Sequence, residues 1–187
     1  MNSEMIPLQT EGLERVLVPR EDIEKRLVEL GNEIDAYYAE SGKPLLLVGL
    51  LKGSFVFLAD ICRQITKPHS IDFMSIHSYG SGTVSGALKV TLDLTEDVTG
   101  KDILIVEDIV DSGKTLSVVQ QMLADRGANS VRICTLLNKP SRRNCAVTVD
   151  HCGFEIPDLW VVGYGLDYAE KYRSLPYVAV MKNPNEE

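Results

Sequence analysis

The chain has 187 residues, of which 44% are hydrophobic and 25% charged, and we expect it to form a single domain over residues 1–187. A formal net charge of −8 argues against binding nucleic acid through its phosphates. No apolar run reaches the roughly 18 residues of a membrane span, and residues 1–15 lack the apolar core of a signal peptide. We therefore expect a cytoplasmic protein with no nucleic-acid or membrane partner.

The cysteines fit the same expectation. The four cysteines are Cys62, Cys134, Cys145 and Cys152. They form no Cys-x-x-Cys pair, so we expect them to be reduced thiols. Cys145, His151 and Cys152 are an alternative metal cluster, but their spacing is not typical of zinc sites.

The first predicted elements are a short strand at 13–18, ended by Pro19, and a helix that starts at Glu21. The apolar residues of this helix recur at helical spacing and should form its buried face: Ile23, Leu27, Leu30, Ile34 and Tyr37. This helix is predicted to pack on the core and carries no chemistry.

A second strand is predicted at 45–51, followed by Lys52-Gly53-Ser54 and a helix to about residue 65. A cation at the carboxyl end of a buried strand, beside a glycine and a helix start, is an anion-binding arrangement. The same three residues also form ordinary turns, so the pattern alone is weak.

A hairpin is predicted next, with strands at 71–77 and 87–93. The connecting segment 78–86 contains three glycines and three serines and cannot bury enough apolar surface to order itself. It is either a flexible hairpin loop without function or a lid over a site.

The stretch 103–115 carries the most specific signal in the chain. Four apolar β-formers predict a strand buried on both faces, and Glu107 and Asp108 follow it. After Asp111, the sequence Ser-Gly-Lys-Thr leads into a run with helical spacing. A strand, a tight turn and a helix N-terminus form a natural phosphate site.

Three carboxylates this close would repel a bare phosphate. The conflict disappears if the ligand also carries hydroxyl groups or Mg²⁺, since carboxylates accept from hydroxyls and bind hard cations. A phosphorylated sugar meets both conditions. A Walker A loop is rejected because it requires glycine at position 108, where this chain has Asp108.

The last elements are a helix stop at Gly127, a strand at 131–137 and a closing strand at 177–181. Lys139 follows the carboxyl end of a buried strand, where ligands of open α/β sheets bind. It could equally be a solvated loop lysine. Arg142 and Arg143 are interpreted as solvated charges, and Trp160, the only tryptophan, as a core residue unless it faces a ligand.

The stretch 103–115 resembles the phosphoribosyl-diphosphate signature of the type I phosphoribosyltransferases, with its acidic pair and Asp-Ser-Gly-x-Thr. Leu51-Lys52-Gly53 and 153–167 are similar to the members that act on 6-oxopurines, and the resemblance extends over about 16–181. It implies an α/β fold with a parallel sheet, a small hood and a flexible lid loop. It also implies transfer of 5-phosphoribosyl from phosphoribosyl diphosphate to hypoxanthine or guanine, giving IMP or GMP and diphosphate.

The resemblance also implies the site residues. Asp111 would be the general base, while Ser112, Gly113, Lys114 and Thr115 would bind the 5′-phosphate and Glu107 and Asp108 the ribose. Diphosphate would contact Leu51, Lys52, Gly53 and Arg173, under a lid with Ser78 and Tyr79. Lys139 would donate to purine O6, with Trp160 stacking on the base and Val161 offering backbone groups to its edge. Glu107, Asp108 and Asp167 would hold Mg²⁺.

Several alternatives stay open. Asp111 could instead cap the following helix. The substrate could be orotate, adenine or xanthine, although Lys139 and Trp160-Val161 favour a 6-oxopurine. A regulatory protein that senses phosphoribosyl diphosphate and binds nucleic acid is a second class, which the acidic charge disfavours. A homodimer or homotetramer is expected from the family, and the sequence does not rank the purine bases.

Overall fold

The computed structural model describes residues 10–78 and 88–182, with backbone alone at 77, 78 and 88. The strands are β1 (Leu13–Val18), β2 (Leu45–Leu51), β3 (His69–Ser78), β4 (Leu88–Leu92), β5 (Asp102–Val110), β6 (Ser130–Asn138), β7 (His151–Glu155), β8 (Val161–Val162) and β9 (Val178–Met181). The helices are α1 (Arg20–Tyr38), α2 (Phe55–Ile61) and α3 (Lys114–Asp125), with a 3₁₀ turn at Pro140–Arg142. None of the helices in the described ranges is long and apolar enough to cross a membrane.

The central sheet has six strands in the order β4-β3-β2-β5-β6-β7. All neighbouring pairs are parallel except β3 and β4, which form the predicted antiparallel hairpin. β5 is central, and its residues Ile103–Val106 are fully buried because helices cover both faces. This confirms the α/β class with a mostly parallel sheet.

The helices divide the core into two layers. α1 and α2 cover one face, where Ile23, Leu30 and Phe57 pack against alternate residues of β2 and β5. α3 covers the other face through Leu116, Val119 and Leu123, which pack against Ile103 and Ile105 and their neighbours. Burying each such side chain contributes about 1.5–3 kcal/mol, so these two layers hold the sheet.

A second, three-stranded sheet in the order β1-β9-β8 forms the predicted hood. Its strands pair in an antiparallel manner, and Val18, Val178 and Val180 belong to the same core cluster as α1 and the central sheet. The hood is therefore packed on the α1 side of the sheet rather than tethered by a linker.

Three details of the sequence prediction are wrong. Tyr37 was placed on the buried face of α1, but its side chain is half-exposed, and Tyr38, four residues after Ile34, is buried instead. The helix predicted to reach residue 65 ends at Ile61. In addition, β5 continues through Val110, so that Glu107 and Asp108 belong to the strand instead of following it.

Gly31 allows α1 to pack closely against the segment after α2. A Cβ at this buried position would lie 2.6 Å from the carbonyl oxygen of Gln64 and 2.9 Å from its carbonyl carbon. The contact is with backbone, which cannot rotate away as a side chain can. Packing therefore favours glycine at a helix position where local propensity favours alanine.

We expect Gly31→Ala to lower the free energy of unfolding by about 1–3 kcal/mol, because overpacking outweighs the gain in helix propensity. Gly42→Ala is the matched control, since a Cβ at Gly42 would meet no atom within 4 Å. Urea denaturation of both variants checks this, and a Gly31→Ala protein more stable than the wild type would contradict it.

Candidate active site

The candidate site lies at the carboxyl ends of the three central strands. β2, β5 and β6 are neighbours in the sheet, so the segments that follow them meet along one edge. Lys52 and Gly53 follow β2, Asp111 and Ser112 follow β5, and Lys139 follows β6. The parallel topology thus brings together three segments that the sequence separates.

The turn between β5 and α3 has the geometry expected of a phosphate site. Gly113 adopts φ +81° and is the residue before the first turn of α3, where no side chain caps the helix. The amides of that first turn are therefore open to an anion. The Ser112 hydroxyl accepts from the Lys114 amide at 3.4 Å, and its carbonyl accepts from the Asn144 amide at 3.3 Å.

A cation lies behind this turn. Arg143 is half-buried, and its Nη2 donates to the Asn138 side chain, while Nη1 is enclosed with no hydrogen-bond partner in the described structure. A Cβ on Gly113 would lie 2.9 Å from that Nη1. The interpretation of Arg143 as a solvated charge is wrong. Its place five residues after the end of β6, at the ligand edge of the sheet, was the available signal.

Two carboxylates at the end of β5 are buried without adequate compensation. Burial raises the pKa of Glu107 well above its ordinary value, the Asp108 charge raises it further, and Glu107 Oε2 has no partner in the described structure. Burial also raises the pKa of Asp108 to about 6, although the Ile109 amide donates to its carboxylate at 2.8 Å. Such carboxylates favour a ligand that brings hydroxyl groups or positive charge.

The segment after β2 passes directly over Asp108. The Leu51–Lys52 peptide, directly before Gly53, is cis. A Cβ on Gly53 would overlap the Asp108 carboxylate, and one on Gly165 would overlap the Gly53 carbonyl oxygen. Glycine is therefore required at both positions for the two segments to approach Asp108.

Arg173 joins the segment 163–175 to the same site. Its guanidinium lies 2.8 Å from the Asp167 carboxylate and donates to the Gly165 carbonyl at 2.8 Å. Its positive charge also lowers the pKa of Asp108, against the larger effect of burial. On the other side, Glu170 contacts both Arg173 and Lys52, and this residue was missed by the sequence analysis.

A cavity of about 640 Å³ opens beside Asp111, between the central sheet and the hood. Trp160, half-exposed, lines it with Val161, and the Tyr168 ring packs edge-on to the indole with centroids 6.2 Å apart. Lys139 is nearly buried in the wall. The cavity combines an aromatic face, a cation and a carboxylate, which suits a flat heterocycle with a carbonyl oxygen.

The charged groups of this cavity form one chain of ion pairs. Lys139 Nζ lies 3.7 Å from Asp158 Oδ1, and Arg142 lies 3.6 Å from Asp158 Oδ2 and 3.1 Å from Asp111 Oδ1. Arg142 is therefore paired with two carboxylates. The sequence analysis interpreted it as a solvated charge and did not predict these ion pairs. Asp111 accepts from Arg142 and is not the residue that caps α3, because that position belongs to Gly113.

The predicted lid is only partly described. Ser78 is the last residue of β3 and pairs with Leu88, while Tyr79 and the rest of the segment to 86 lie outside the described residues.

The four cysteines are free thiols, and Cys145 donates to the Ser112 carbonyl at 3.2 Å, beneath the phosphate turn.

The predicted magnesium ligands are only partly brought together. The charge of Asp167 raises the pKa of Asp108. Glu107, the adjacent residue on β5, projects to the other face of the strand. Within residues 10–78 and 88–182, no three acidic, histidine or cysteine side chains form a ready-made metal cluster. The oxygen donors nevertheless fit Mg²⁺, which is commonly held by one or two carboxylates, waters and substrate phosphates.

A parallel sheet with this acidic strand end, an open phosphate turn, a hood and a heterocycle cavity defines the type I phosphoribosyltransferase class. Residues 20–169 match the family model described as phosphoribosyl transferase domain.

Individual relatives narrow the class. The chain is 54% identical to the hypoxanthine phosphoribosyltransferase of Salmonella typhimurium, covering 87% of this chain and 92% of the relative. It is 48% identical to the hypoxanthine-guanine phosphoribosyltransferase of Bacillus subtilis, covering 91% and 94%. The crystal structure of a hypoxanthine phosphoribosyltransferase from Staphylococcus aureus is 44% identical and superposes with a TM-score of 0.89, covering 96% and 97%. The chain belongs to the hypoxanthine phosphoribosyltransferase family of purine salvage transferases.

The buried acidic end of β5 leads to a prediction about stability. A carboxyl whose pKa is raised by folding binds protons more tightly in the folded state, so stability falls as pH rises above the unfolded value of about 4.3. Glu107→Gln removes this charge with little change of volume. We expect the ligand-free variant to be more stable than the wild type at pH 8, by about 1 kcal/mol or more.

Urea denaturation at pH 4.5 and pH 8 checks this prediction. The difference between the two proteins should shrink at pH 4.5, where Glu107 is protonated in the folded wild type. The same variant of Glu40, an exposed residue, serves as control and should change little at either pH. A Glu107→Gln protein that is less stable at pH 8 would show that the buried charge is compensated.

Proposed function

We propose that this chain transfers the 5-phosphoribosyl group of phosphoribosyl diphosphate to hypoxanthine or guanine, giving IMP or GMP and diphosphate. One observation carries the proposal: the cavity that contains Trp160 and Lys139 opens beside Asp111, directly before the phosphate turn. A base in that cavity and a 5′-phosphate on that turn would place the ribose over the end of β5. The printed names of the relatives support the same substrates.

In this proposal the bond between C1 and the diphosphate lengthens first and leaves positive charge on the ribose. Lys52 and Arg173 stabilise the departing diphosphate, which takes the electron pair of the broken bond. The amides of Ser112–Thr115 hold the 5′-phosphate. Glu107 and Asp108 accept from the ribose hydroxyls.

The base then bonds to C1 through N9, and its imidazole ring loses a proton. We assign the acceptance of this proton to Asp111, whose side chain lines the cavity beside the phosphate turn. Lys139 donates to the O6 carbonyl and Trp160 stacks on the ring, while backbone groups at Val161 contact its edge. Glu107, Asp108 and Asp167 would hold Mg²⁺ together with the substrate, and the ion would neutralise diphosphate charge.

Four further predictions come from the sequence and its family resemblance. A lid containing Ser78 and Tyr79, a single domain over residues 1–187, a homodimer or homotetramer and a cytoplasmic location stay predictions. The choice between hypoxanthine and guanine depends on groups at purine C2. Glu14 of β1 lines the same cavity and adds a carboxylate there, which is compatible with an amino group.

The direct test uses purified protein with phosphoribosyl diphosphate, Mg²⁺ and each purine base, followed by absorbance. We expect turnover with hypoxanthine or guanine and none with adenine or orotate. Excess chelator should abolish the reaction, and added Mg²⁺ or Mn²⁺ should restore it. Full activity in chelator would remove the metal from the mechanism, and turnover with adenine alone would overturn the assignment of the base.

Asp111→Asn keeps the size of the side chain but removes its basicity. We expect kcat to fall by about 10²–10⁴-fold, while binding of phosphoribosyl diphosphate changes little. Single-turnover kinetics check this, since product release cannot then conceal the chemical step. Arg142→Gln removes the same ion pair and leaves the carboxylate, so an equal loss in that variant would assign the effect to the pair rather than to the base.

Lys139→Gln removes the cation that is proposed to donate to O6. The KM for hypoxanthine should rise by about 10–100-fold, the usual effect of losing a hydrogen bond to a charged group, and the KM for phosphoribosyl diphosphate should change far less. Asp158→Asn is the control, because it frees Lys139 from its 3.7 Å contact without removing the cation. If both KM values rise together in Lys139→Gln, Lys139 contacts phosphate.

A further inference from the structure

Glu170 connects the two cations that the proposed function assigns to diphosphate. Its Oε1 lies 3.1 Å from Lys52 Nζ, and its Oε2 lies 3.5 Å from Arg173 Nη2. Lys52 and Glu170 are 118 residues apart in the sequence and meet only in the fold. Glu170 thus contacts both positive groups, and it shares Arg173 with Asp167, which lies closer at 2.8 Å.

The backbone presents Glu170 at the tip of a tight turn. Tyr168 and Lys171 exchange two backbone hydrogen bonds, of 3.2 and 3.0 Å, around Ala169 and Glu170. These central residues have φ +51° and +62°, values that favour glycine, asparagine or aspartate. The Glu170 amide also donates to the Asp167 carboxylate at 2.9 Å. Glutamate is an unfavourable choice for this turn, which points to a role for its side chain.

The contact with Lys52 is easily exchanged. About two thirds of each side chain is exposed, and ion pairs between exposed groups contribute little to stability. A diphosphate bound by the same two cations would bring its own negative charge against this carboxylate, and the like charges would repel.

We propose that Glu170 is a placeholder anion: its carboxylate takes the position of the diphosphate in the ligand-free enzyme and leaves the two cations when substrate binds. The inference rests on the proposed function, because that function makes Lys52 and Arg173 the diphosphate groups. The placeholder keeps both cations near their working positions, weakens binding of phosphoribosyl diphosphate, and returns to help expel the diphosphate product.

The test is Glu170→Gln, which keeps the shape of the side chain and removes its charge. Binding of inorganic diphosphate with Mg²⁺, measured by calorimetry, should become about two- to fivefold tighter, the range expected for removing a competing exposed ion pair. The KM for phosphoribosyl diphosphate should fall by a similar factor, with the KM for hypoxanthine unchanged. Asp125→Asn, at the far end of α3, removes the same charge at a distance and should change none of these values.

Two results would overturn the placeholder. Unchanged diphosphate binding in Glu170→Gln would show that the carboxylate does not compete. Weaker binding, together with a higher Mg²⁺ requirement, would make Glu170 a metal or positioning group, and Glu170→Asp should then restore affinity. Calorimetry with diphosphate requires no turnover, so a wild-type protein without transferase activity would refute the proposed function while the placeholder is still decided by binding alone.

Discussion

The structure depends on an electrostatic contrast between the two ends of β5. At the first end, burial raises the pKa of Asp102, but hydrogen bonds from Ser130, Ser41 and Asn129 outweigh it and leave the pKa below its ordinary value. At the second end, Glu107 and Asp108 are also buried, and their pKa values remain raised. The first residue of β5 is thus a carboxylate with enough hydrogen-bond donors, whereas the two carboxylates near its carboxyl end lack sufficient donors. Such unsatisfied groups persist where binding a ligand compensates them.

The surrounding loops carry positively charged side chains, but these cations contact other carboxylates instead of Glu107 and Asp108. Lys52 and Arg173 contact Glu170, while Lys139 and Arg142 contact Asp158. The pairs of Lys52 with Glu170 and of Arg142 with Asp158 are exposed on both sides, so exchanging them for substrate groups costs little. The site is therefore preorganised in position and still open to exchange of partners, which suits a reaction in which one anionic group must bind and later leave.

Glycine sets how closely the loops can approach this charged edge. Gly53 leaves room for the Asp108 carboxylate, and Gly165 leaves room for the Gly53 carbonyl, so the three segments stack without side chains between them. Gly113 provides the left-handed turn before α3. The enclosure of Asp108 follows from this stacking, and with it the raised pKa. The packing of backbone segments and the electrostatics of the site are thus one feature.

The sequence alone determined the order of elements, the parallel sheet, the phosphate turn and the acidic strand end, because these depend on residues that are neighbours in the chain. Periodicity assigned Tyr37 instead of Tyr38 to the buried face of α1, extended α2 beyond Ile61, and ended β5 before its polar residues. The tertiary structure alone decided which charges meet. Glu170 reaches Lys52 across 118 positions and Arg142 reaches Asp111 across 31, and no local pattern encodes contacts that arise when separate strand ends are brought to one edge of a sheet.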